Sequence, residues 1–266
     1  MSKGFVILAQ NTDKVNYVKC AEILAYSIKN CMPKAKVALI TDNKFSGSIF
    51  DYVIPLPYGD LAPNSDWKLI NDWQVYEASP FKETLKLEAD MYIPASIDYW
   101  WDILKNQSVV VCTNIRNFKG DVSDITFYRK FITDNQLPNT YNAITYFKKN
   151  KFSEKFFLTI RNIFENWEEF TKILKCNQNE LVTTDWVYAL ACHIHGESKT
   201  TMPFFKELSM VHMKQFINNL LSEDWTLELV PEISKEYFKI NTFPQRYPFH
   251  YHVKDFSKSL GEIYGC

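Results

Sequence analysis

Two carboxylates, Glu88 and Asp90, stand one residue apart at the end of an apolar run in the stretch KETLKLEADMYIP, residues 82–94. An acid pair spaced in this way, in a chain that leaves a strand, can turn both side chains toward one hard divalent cation. Mg²⁺ or Mn²⁺ held by such a pair can bridge a diphosphate, whose oxygens complete the coordination shell. A solvated turn or a helix cap explains the same spacing. The spacing alone is compatible with both interpretations, a cation site and a turn or helix cap.

The segments before the acid pair alternate between strand and helix patterns. The predicted strands are GFVILAQ (4–10), KVALITDN (36–43), FDYVIPLP (50–57) and ETLKLEAD (83–90), and the predicted helices cover 14–29 and 67–77. Such alternation predicts an α/β fold with a mostly parallel, twisted sheet flanked by helices. Open α/β sheets bind ligands beyond the carboxyl ends of their strands, which is where Glu88 and Asp90 would lie.

Length and composition predict one globular domain. The 266 residues are 46% hydrophobic and contain no linker that divides the chain, so we expect a single domain over 1–266. Within it, we expect three parts, over 1–110, over 111–215 and, as a C-terminal extension, over 216–266. Only 7 glycines occur, and none forms a glycine-rich phosphate loop. Lys plus Arg (30) balance Asp plus Glu (31), so the net charge does not attract nucleic acid.

The cysteines and the N-terminus predict a compartment. Six cysteines are far apart and form no CxxC pair, which argues against a zinc knuckle or a disulfide scaffold and favours the reducing cytoplasm. The first apolar run is too short for a signal sequence, and no apolar segment reaches the about 18 residues that a membrane span needs. We therefore expect neither export nor a membrane span.

The order of these segments resembles the GT-A glycosyltransferases, nearest to the glycogenin and galactosyltransferase-like group, family 8-like. In that group two βα units bind the nucleotide, and a strand then ends in Asp-x-Asp, often reading LDAD. LEAD, residues 87–90, occupies that place with Glu88 for the first aspartate. The resemblance implies that Glu88 and Asp90 bind Mn²⁺ or Mg²⁺ and that Glu88 also contacts the nucleotide sugar. It also implies that residues 1–110 form a Rossmann-like half that binds the nucleotide sugar and that residues 111–215 form the acceptor-side half.

Two later segments resemble the family's sugar-facing parts. TYNAITYFKKN (140–150) resembles its acceptor-side strand, with Asn142 matching and Ile144 in place of a glycine. ELVTTDWVYALACHIHG (180–196) resembles the segment in which an aspartate caps a helix beside the sugar, here Asp185. A Thr-Thr-Asp start is also an ordinary helix N-cap. The resemblance implies that Asp185 and Asn142 lie near the anomeric carbon as catalytic candidates.

Cationic and imidazole groups have family counterparts as well. LSMVHMK (208–214) resembles the late strand whose histidine completes the metal site and whose lysine contacts the diphosphate, which would be His212 and Lys214. RYPFHYHVKDF (246–256) fits an edge strand or a lid, and its His252 is the alternative metal ligand. Lys68 matches a basic residue that contacts the nucleotide sugar, although a solvated lysine on an amphipathic helix fits equally.

The remaining expectations concern the nucleotide and the cleft edge. Ala9, Asn11, Thr12 and Tyr17 follow the first strand and Asp42 follows the second, so these five should face the base and ribose. TNIRNFKGD (113–121) is expected to be a solvated loop at the edge of the cleft.

The resemblance implies a metal-dependent transferase that moves a sugar from a nucleoside-diphosphate sugar, a UDP-sugar being favoured, with retention of configuration. The chain also resembles glycosyltransferase-like proteins of tailed bacteriophages, which makes hydroxymethylated bases of phage DNA a candidate acceptor in the host cytoplasm. FYRKF (127–131) and FPQRYPFHYHVK (243–254) would supply a basic and aromatic groove for DNA. Protein, lipopolysaccharide and polysaccharide acceptors stay open.

Two other classes of protein share these features. A sugar nucleotidyltransferase has a similar sheet and acid pair but opens with a glycine-rich phosphate loop, whereas LAQNTDKVNY (8–17) contains no glycine. A non-catalytic nucleotide-sugar-binding protein is suggested by the departures at Glu88 and Ile144.

Overall fold

The computed structural model describes residues 2–176 and 182–265. The strands are β1 Lys3–Leu8, β2 Val37–Ile40, β3 Tyr52–Ile54, β4 Glu83–Glu88, β5 Met91–Tyr92, β6 Val109–Cys112, β7 Asn114–Arg116, β8 Val122–Ser123, β9 Tyr141–Lys148, β10 Ser209–His212, β11 Pro231–Ile233, β12 Phe238–Ile240, β13 Phe243–Pro244 and β14 Phe249–His250. The α-helices are α1 Tyr17–Cys31, α2 Val75–Ala78, α3 Trp100–Leu104, α4 Lys130–Asp134, α5 Lys151–Glu165, α6 Trp167–Thr171, α7 Thr184–His195, α8 Glu197–Thr200, α9 Gln215–Asn218 and α10 Phe256–Tyr264. Short 3-10 helices cover Leu69–Gln74 and Trp225–Leu227.

The largest sheet has six strands in the order β3-β2-β1-β4-β9-β6. Strands β3, β2, β1 and β4 are parallel to one another, while β9 runs antiparallel to both β4 and β6. The predicted α/β fold with a mostly parallel sheet flanked by helices is thereby confirmed. Because β9 is antiparallel, its first residues lie at the same edge of the sheet as the last residues of β1 and β4.

Two smaller sheets complete the structure. One has the order β5-β14-β10-β7-β8, in which β14, β10 and β7 are parallel, and the other is the antiparallel set β11-β12-β13. The register pairs His212 of β10 with His250 of β14, and His250 with Met91 of β5. Since Met91 directly follows Asp90, this pairing brings two distant segments to the acid pair.

The largest sheet is covered on both faces. On one face α1 packs Ile23, Leu24 and Ile28 inward, and on the other α5 and α7 bury aromatic and aliphatic side chains such as Phe156 and Tyr188. The near-continuous burial of β2 and β9 explains their unbroken apolar runs, because strands between two helical layers have no solvent face. In the described ranges, no helix is long and apolar enough to cross a membrane.

The helix predicted over 67–77 forms differently. A 3-10 turn covers Leu69–Gln74 and a short α-helix follows over Val75–Ala78. The buried amides of Asn71 and Gln74 accept hydrogen bonds from the backbone N–H of Leu61 (2.9 Å) and Tyr58 (3.0 Å). These two hydrogen bonds fix the segment to the preceding loop. The periodicity of apolar residues in the sequence does not predict such tertiary contacts.

Two segments are more deeply buried in the fold than the sequence predicts. TNIRNFKGD, expected as a solvated loop, contains the buried strand β7, where Arg116 donates to Ser209 Oγ at 2.9 Å and stacks on Tyr247. RYPFHYHVKDF, expected as an edge strand or a lid, contains β14 between β5 and β10 and is therefore interior. Both predictions were wrong because polar residues in these segments find partners inside the fold.

Candidate functional site

A cavity of about 590 Å³ opens at the carboxyl ends of β1 and β4, beside the first residues of β9. This is the crevice in which open α/β sheets bind ligands. Its walls carry acids, imidazoles, lysines and aromatic rings, and they include Thr12, Tyr17, Lys68, Asp72, Lys86, Glu88, Asp90, Tyr128, Arg129, Asn142, Asp185, Trp186, His212, Lys214, His250, His252 and Lys254.

The acid pair meets a histidine at the floor of this cavity. His250 Nε2 lies 3.1 Å from Asp90 Oδ2 and 3.3 Å from Glu88 Oε2. One ligand atom from each of these three residues lies within 4.8 Å of the other two. Two carboxylates and one imidazole form a donor set that suits Mn²⁺ and other divalent cations of borderline hardness.

Strand pairing brings His250 to the acids. β14 pairs antiparallel with β5, and the Tyr251 N–H donates to the Asp90 carbonyl at 3.2 Å. Because β5 begins one residue after Asp90, this pairing places His250, at the end of β14, beside Asp90. His212, the histidine that the sequence predicted beside Glu88 and Asp90, ends β10, one strand further from β5.

The two carboxylates have opposite electrostatic environments. Burial raises the pKa of Glu88, and the charges of Asp90 and Asp185 act in the same direction. Burial also disfavours ionised Asp90, but His250 and Lys254 overcome it and hold the Asp90 pKa well below its ordinary value. The Lys254 ammonium contacts Asp90 Oδ2 directly. A bound cation would replace this ammonium as the partner of Asp90.

A buried ion pair lies beneath the acids. Lys86 Nζ is 2.8 Å from Asp72 Oδ1, and the Tyr188 hydroxyl donates to Asp72 Oδ2 at 2.6 Å. Only 1% of the Lys86 side chain and 8% of the Asp72 side chain are exposed. Lys86 and Glu88 share one face of β4, since side chains two residues apart in a strand point the same way. The lysine therefore adds positive charge next to Glu88.

Asn142 and Asp185, the predicted catalytic candidates, contact each other. The Asn142 backbone N–H donates to Asp185 Oδ1 at 2.9 Å. With its amide oxygen toward Lys86 (2.9 Å), the Asn142 side chain directs its nitrogen to Glu88 Oε1 at 3.1 Å. Asn142 thus connects the acid pair with Asp185.

Arg129 holds the other oxygen of Asp185. Its Nη2 donates to Asp185 Oδ2 at 2.9 Å, and its guanidinium stacks on the Tyr141 ring. The N-cap of α7 is Thr183, whose hydroxyl accepts from the Trp186 N–H at 3.4 Å. Since Thr183 caps the helix, the Asp185 carboxylate is left to face the cavity. Glu180 and Leu181 of the predicted segment lie outside the described residues.

A second group of imidazoles lies beside the acid pair. His252 Nε2 is 3.3 Å from His212 Nδ1, and the His250 and His252 ring centroids are 4.0 Å apart. Ligand nitrogens of His212, His250 and His252 lie within 4.8 Å of one another, so His250 belongs to both groups. Burial, followed by the charge of His250, lowers the pKa of His212 and of His252 well below the ordinary histidine value.

The predicted nucleotide contacts divide into two sets. Thr12, Tyr17, Lys68 and Lys214 line the cavity, and Lys68 also pairs with Asp60 at 2.6 Å.

Ala9, Asn11 and Asp42 lie outside the cavity lining. Asn11 instead accepts the Val18 N–H at 3.0 Å, and Asp42 accepts from Gln10 Nε2 at 2.9 Å. Gln10 lines the cavity, so Asp42 reaches this region through Gln10.

Several wall residues were not found by reading the sequence. Lys86 had a usable signal, because it stands two residues before Glu88 on the same face of a predicted strand. Arg129 and Lys254 were placed only in the segments expected to form a DNA groove, since their positions at the acids depend on α7 meeting β9 and on β14 pairing with β5.

No family model matches the chain, and no curated protein does. Solved structures do align with it. A structure of the galactosyltransferase LgtC, in complex with donor and acceptor sugar analogs, has a TM-score of 0.51 at 11% identity and covers 98% of this chain and 95% of LgtC. The glycosyltransferase GlyE of Streptococcus pneumoniae TIGR4 has a TM-score of 0.52 at 9% identity. That alignment covers 97% of this chain and 60% of GlyE, so the chain spans little more than half of that protein.

These alignments define the fold class. The chain has the GT-A fold of glycosyltransferases, and the likeness extends over almost its whole length.

Proposed function

We propose that the protein is a metal-dependent glycosyltransferase that moves a sugar from a nucleoside-diphosphate sugar, with a UDP-sugar as the favoured donor. The observation that carries the proposal is the group Glu88, Asp90 and His250 at the floor of the cavity, at the strand ends where α/β sheets bind nucleotides. A GT-A fold alone would not specify the activity, because one fold hosts many functions. The proposed activity therefore rests on the residues of the site and not on the fold.

The donor set fits a divalent cation. Two carboxylates and one imidazole can hold Mn²⁺ or Mg²⁺ with open positions for phosphate oxygens. When bound, the cation supplies positive charge to the diphosphate that leaves the sugar. His250 is the nitrogen ligand that this geometry favours at the acid pair. Lys254, which contacts Asp90 and lies 5.5 Å from the Tyr17 ring, would be displaced from Asp90 by the cation.

The protein's own groups then orient the sugar. Glu88, Asn142 and Asp185 form a continuous polar edge, in which Asn142 hydrogen-bonds to both carboxylates. Arg129 holds the Asp185 carboxylate in position through an ion pair. We place the anomeric carbon next to Asp185 and Asn142, and we propose that transfer retains the anomeric configuration. Lys214 and Lys68 lie in the same wall as further cationic contacts for the diphosphate.

The acceptor side is the aromatic rim of the cavity. The Phe127 and Phe216 ring centroids are 5.2 Å apart, and Tyr128, which lines the cavity, stacks on Phe216 at 5.9 Å. Phe127 is 63% and Phe216 47% exposed. Exposed rings next to a polar cleft can stack on the apolar face of a sugar or a base.

Hydroxymethylated DNA stays a prediction for the acceptor. Two basic residues of the segments that would form a DNA groove are already paired, Arg129 with Asp185 and Lys254 with Asp90. The other Lys and Arg residues of these segments, Lys130 and Arg246, are exposed and available to contact phosphates. We therefore propose a saccharide acceptor first and DNA second.

The proposal is tested by measuring the melting temperature with UDP, GDP, ADP and their hexose conjugates, each with and without Mn²⁺. A ligand that binds the folded state raises the melting temperature by mass action. We expect a Mn²⁺-dependent shift with one nucleotide series, and slow release of free sugar from its sugar conjugate. Asp90→Asn should abolish both, whereas Asp102→Asn, at a carboxylate that is 85% exposed, should change neither.

The outcomes separate the three candidate classes. Binding without sugar release or transfer would identify a nucleotide-sugar-binding protein. Formation of a nucleotide sugar from a sugar phosphate and a nucleoside triphosphate would identify a nucleotidyltransferase. No shift with any nucleotide would contradict the proposal.

A further inference from the structure

In the group formed by His212, His250 and His252, only His250 has a role in the transfer described above, because it also belongs to the acid pair. His212 and His250 end the neighbouring parallel strands β10 and β14, and His252 follows two residues after β14. One ligand nitrogen from each of the three lies within 4.8 Å of the others. Three histidines with one open position are a recurrent ligand set for zinc. We propose that these three histidines form a second cation site, which binds Zn²⁺ in preference to Mg²⁺.

The first argument is the spacing between two of the nitrogens. Zinc–nitrogen bonds of about 2.0–2.1 Å at a tetrahedral angle place two ligand nitrogens about 3.3–3.4 Å apart. His252 Nε2 and His212 Nδ1 are 3.3 Å apart. The same distance is a hydrogen bond when one of the two nitrogens carries a proton, and zinc would replace that proton.

The second argument is a buried nitrogen without a partner. His250 is 5% exposed, and within residues 2–176 and 182–265 no donor or acceptor lies within hydrogen-bonding distance of its Nδ1. Its Nε2 already contacts Asp90 at 3.1 Å. A buried polar atom left in this way is costly unless a ligand, an ion or water satisfies it.

The third argument is the backbone at His252, whose φ is +57°. A residue with a side chain adopts this left-handed conformation at an energetic cost, and only where the surrounding structure imposes it. This conformation holds the His252 ring against the rings of His212 (4.5 Å between centroids) and His250.

The donor set decides which ion the site prefers. Nitrogen ligands select zinc and other late transition metals over Mg²⁺, whose preference is for oxygen. The acid pair offers mainly oxygen, so the two groups differ in preference although they share His250. Zinc bound through the unpartnered Nδ1 would leave His250 Nε2 facing Asp90. Because the zinc charge would then lie next to the acid pair, we expect Zn²⁺ to weaken Mn²⁺-dependent nucleotide binding.

The experiment is a calorimetric titration of the whole chain with Zn²⁺, without nucleotide, followed by Co²⁺ as an absorbing probe of nitrogen ligation. We expect one Zn²⁺ per chain, with an affinity that falls at least tenfold in His212→Asn and in His252→Asn. His193→Asn is the matched control, because His193 is exposed and faces Glu197 on α8. Melting temperatures without metal establish that each variant is folded, and His252→Gln provides a second variant at the half-buried position.

The result also separates this site from the acid pair. Retention of Zn²⁺ binding in Asp90→Asn, together with its loss in His252→Asn, would support the proposal, whatever the nucleotide panel shows. Absence of stoichiometric Zn²⁺ binding would overturn it. Equal Zn²⁺ affinity in the parent protein and both histidine variants would overturn it as well, and so would loss of Zn²⁺ binding in Asp90→Asn alone, which would place zinc at the acids.

Discussion

The Lys254 ammonium lies directly against Oδ2 of Asp90, so a lysine from the segment after β14 neutralises a buried carboxylate at the end of β4. Asp90 in turn raises the pKa of Lys254 even though burial opposes the charged form. A divalent cation and this ammonium therefore compete for one carboxylate. Removal of the ammonium should therefore change the affinity for the metal and the affinity for the nucleotide in opposite directions.

We predict that Lys254→Gln binds Mn²⁺ alone about tenfold more tightly, a difference of about 1.4 kcal/mol, because the internal competitor is removed. The same variant should bind UDP in the presence of Mn²⁺ more weakly, since a cation that could reach the diphosphate is lost. Titration of Mn²⁺ with and without UDP measures both. Lys258→Gln, at an exposed lysine paired with Asp255, is the control. Equal Mn²⁺ affinity in the parent protein and Lys254→Gln would contradict the idea of competition.

Much of the nucleotide half could be predicted from the sequence because its signals are local. The apolar runs of β1 and β2 are unbroken or nearly so, β4 alternates apolar and polar residues, and α1 has apolar residues at helical spacing. The order of strand and helix patterns therefore indicates the parallel sheet. Glu88 and Asp90 then follow from their position at a strand end. The start of α1 at Tyr17 rather than at 14 reflects the cap at Asn16, whose side chain accepts the Lys19 N–H at 2.9 Å.

The imidazole part of the site depends on pairing between distant segments. Sequence order favoured His212 because it follows an apolar strand-like run, whereas His250 stands in a two-residue strand whose neighbours are set only in three dimensions. Its contact with Asp90 spans 160 positions in the chain. Short strands have weak local patterns, and register between them is fixed by packing. The sequence could therefore identify the histidines as candidate ligands. It could not show which of them lies at the acid pair and which belong only to the imidazole group.

The aromatic rim yields a prediction that separates donor from acceptor. Phe127→Ala and Phe216→Ala should raise the acceptor KM about tenfold, because loss of ring stacking is worth about 1–3 kcal/mol. Hydrolysis of the donor without acceptor should be unchanged, since neither ring lines the donor cavity. The acceptor is first identified with a panel of saccharides and of duplexes that contain hydroxymethylcytosine.

Phe204→Ala is the matched control for the rim, because this ring is 97% exposed and lies outside the cavity lining. An unchanged acceptor KM in both rim variants would place the acceptor elsewhere. A fall in donor hydrolysis in either variant would show that the rim supports the donor site.

The ion pair between Lys86 and Asp72 predicts a large loss of stability when it is broken. Lys86→Met leaves the Asp72 carboxylate buried with Tyr188 as its remaining partner among those described above. Removing one partner of a buried pair costs about 3–5 kcal/mol. Urea unfolding at neutral pH measures the free energy difference from the parent protein.

The double variant Lys86→Met with Asp72→Asn tests the cause of that loss. Without the buried charge, about half of the lost stability should return, because the uncompensated carboxylate is the main penalty. If the double variant is as unstable as Lys86→Met, the loss comes from packing of the lysine stem and not from charge.

Asp51, far from the cavity, predicts how stability depends on pH. Its carboxylate meets Lys36 (2.7 Å), Lys29 (3.0 Å) and the Val37 N–H (3.0 Å). Burial disfavours the charged form, but these partners prevail and lower the Asp51 pKa from its ordinary 3.8. Because the folded pKa lies below the unfolded one, the stabilisation is complete above the unfolded pKa and is lost as the pH falls through the folded pKa. Asp51→Asn should therefore be less stable by about 1 kcal/mol at pH 7.

The difference between the parent protein and Asp51→Asn should shrink below pH 3.8, because the parent then loses the same charge by protonation. Urea unfolding at pH 7 and at successive acidic values gives the free energy for both proteins. Asp102→Asn, at an exposed acid that pairs with Lys105 three residues along, should follow the parent protein at every pH. A constant difference at all pH values would show that the introduced amide disturbs packing, and that the ion pairs of Asp51 contribute nothing measurable.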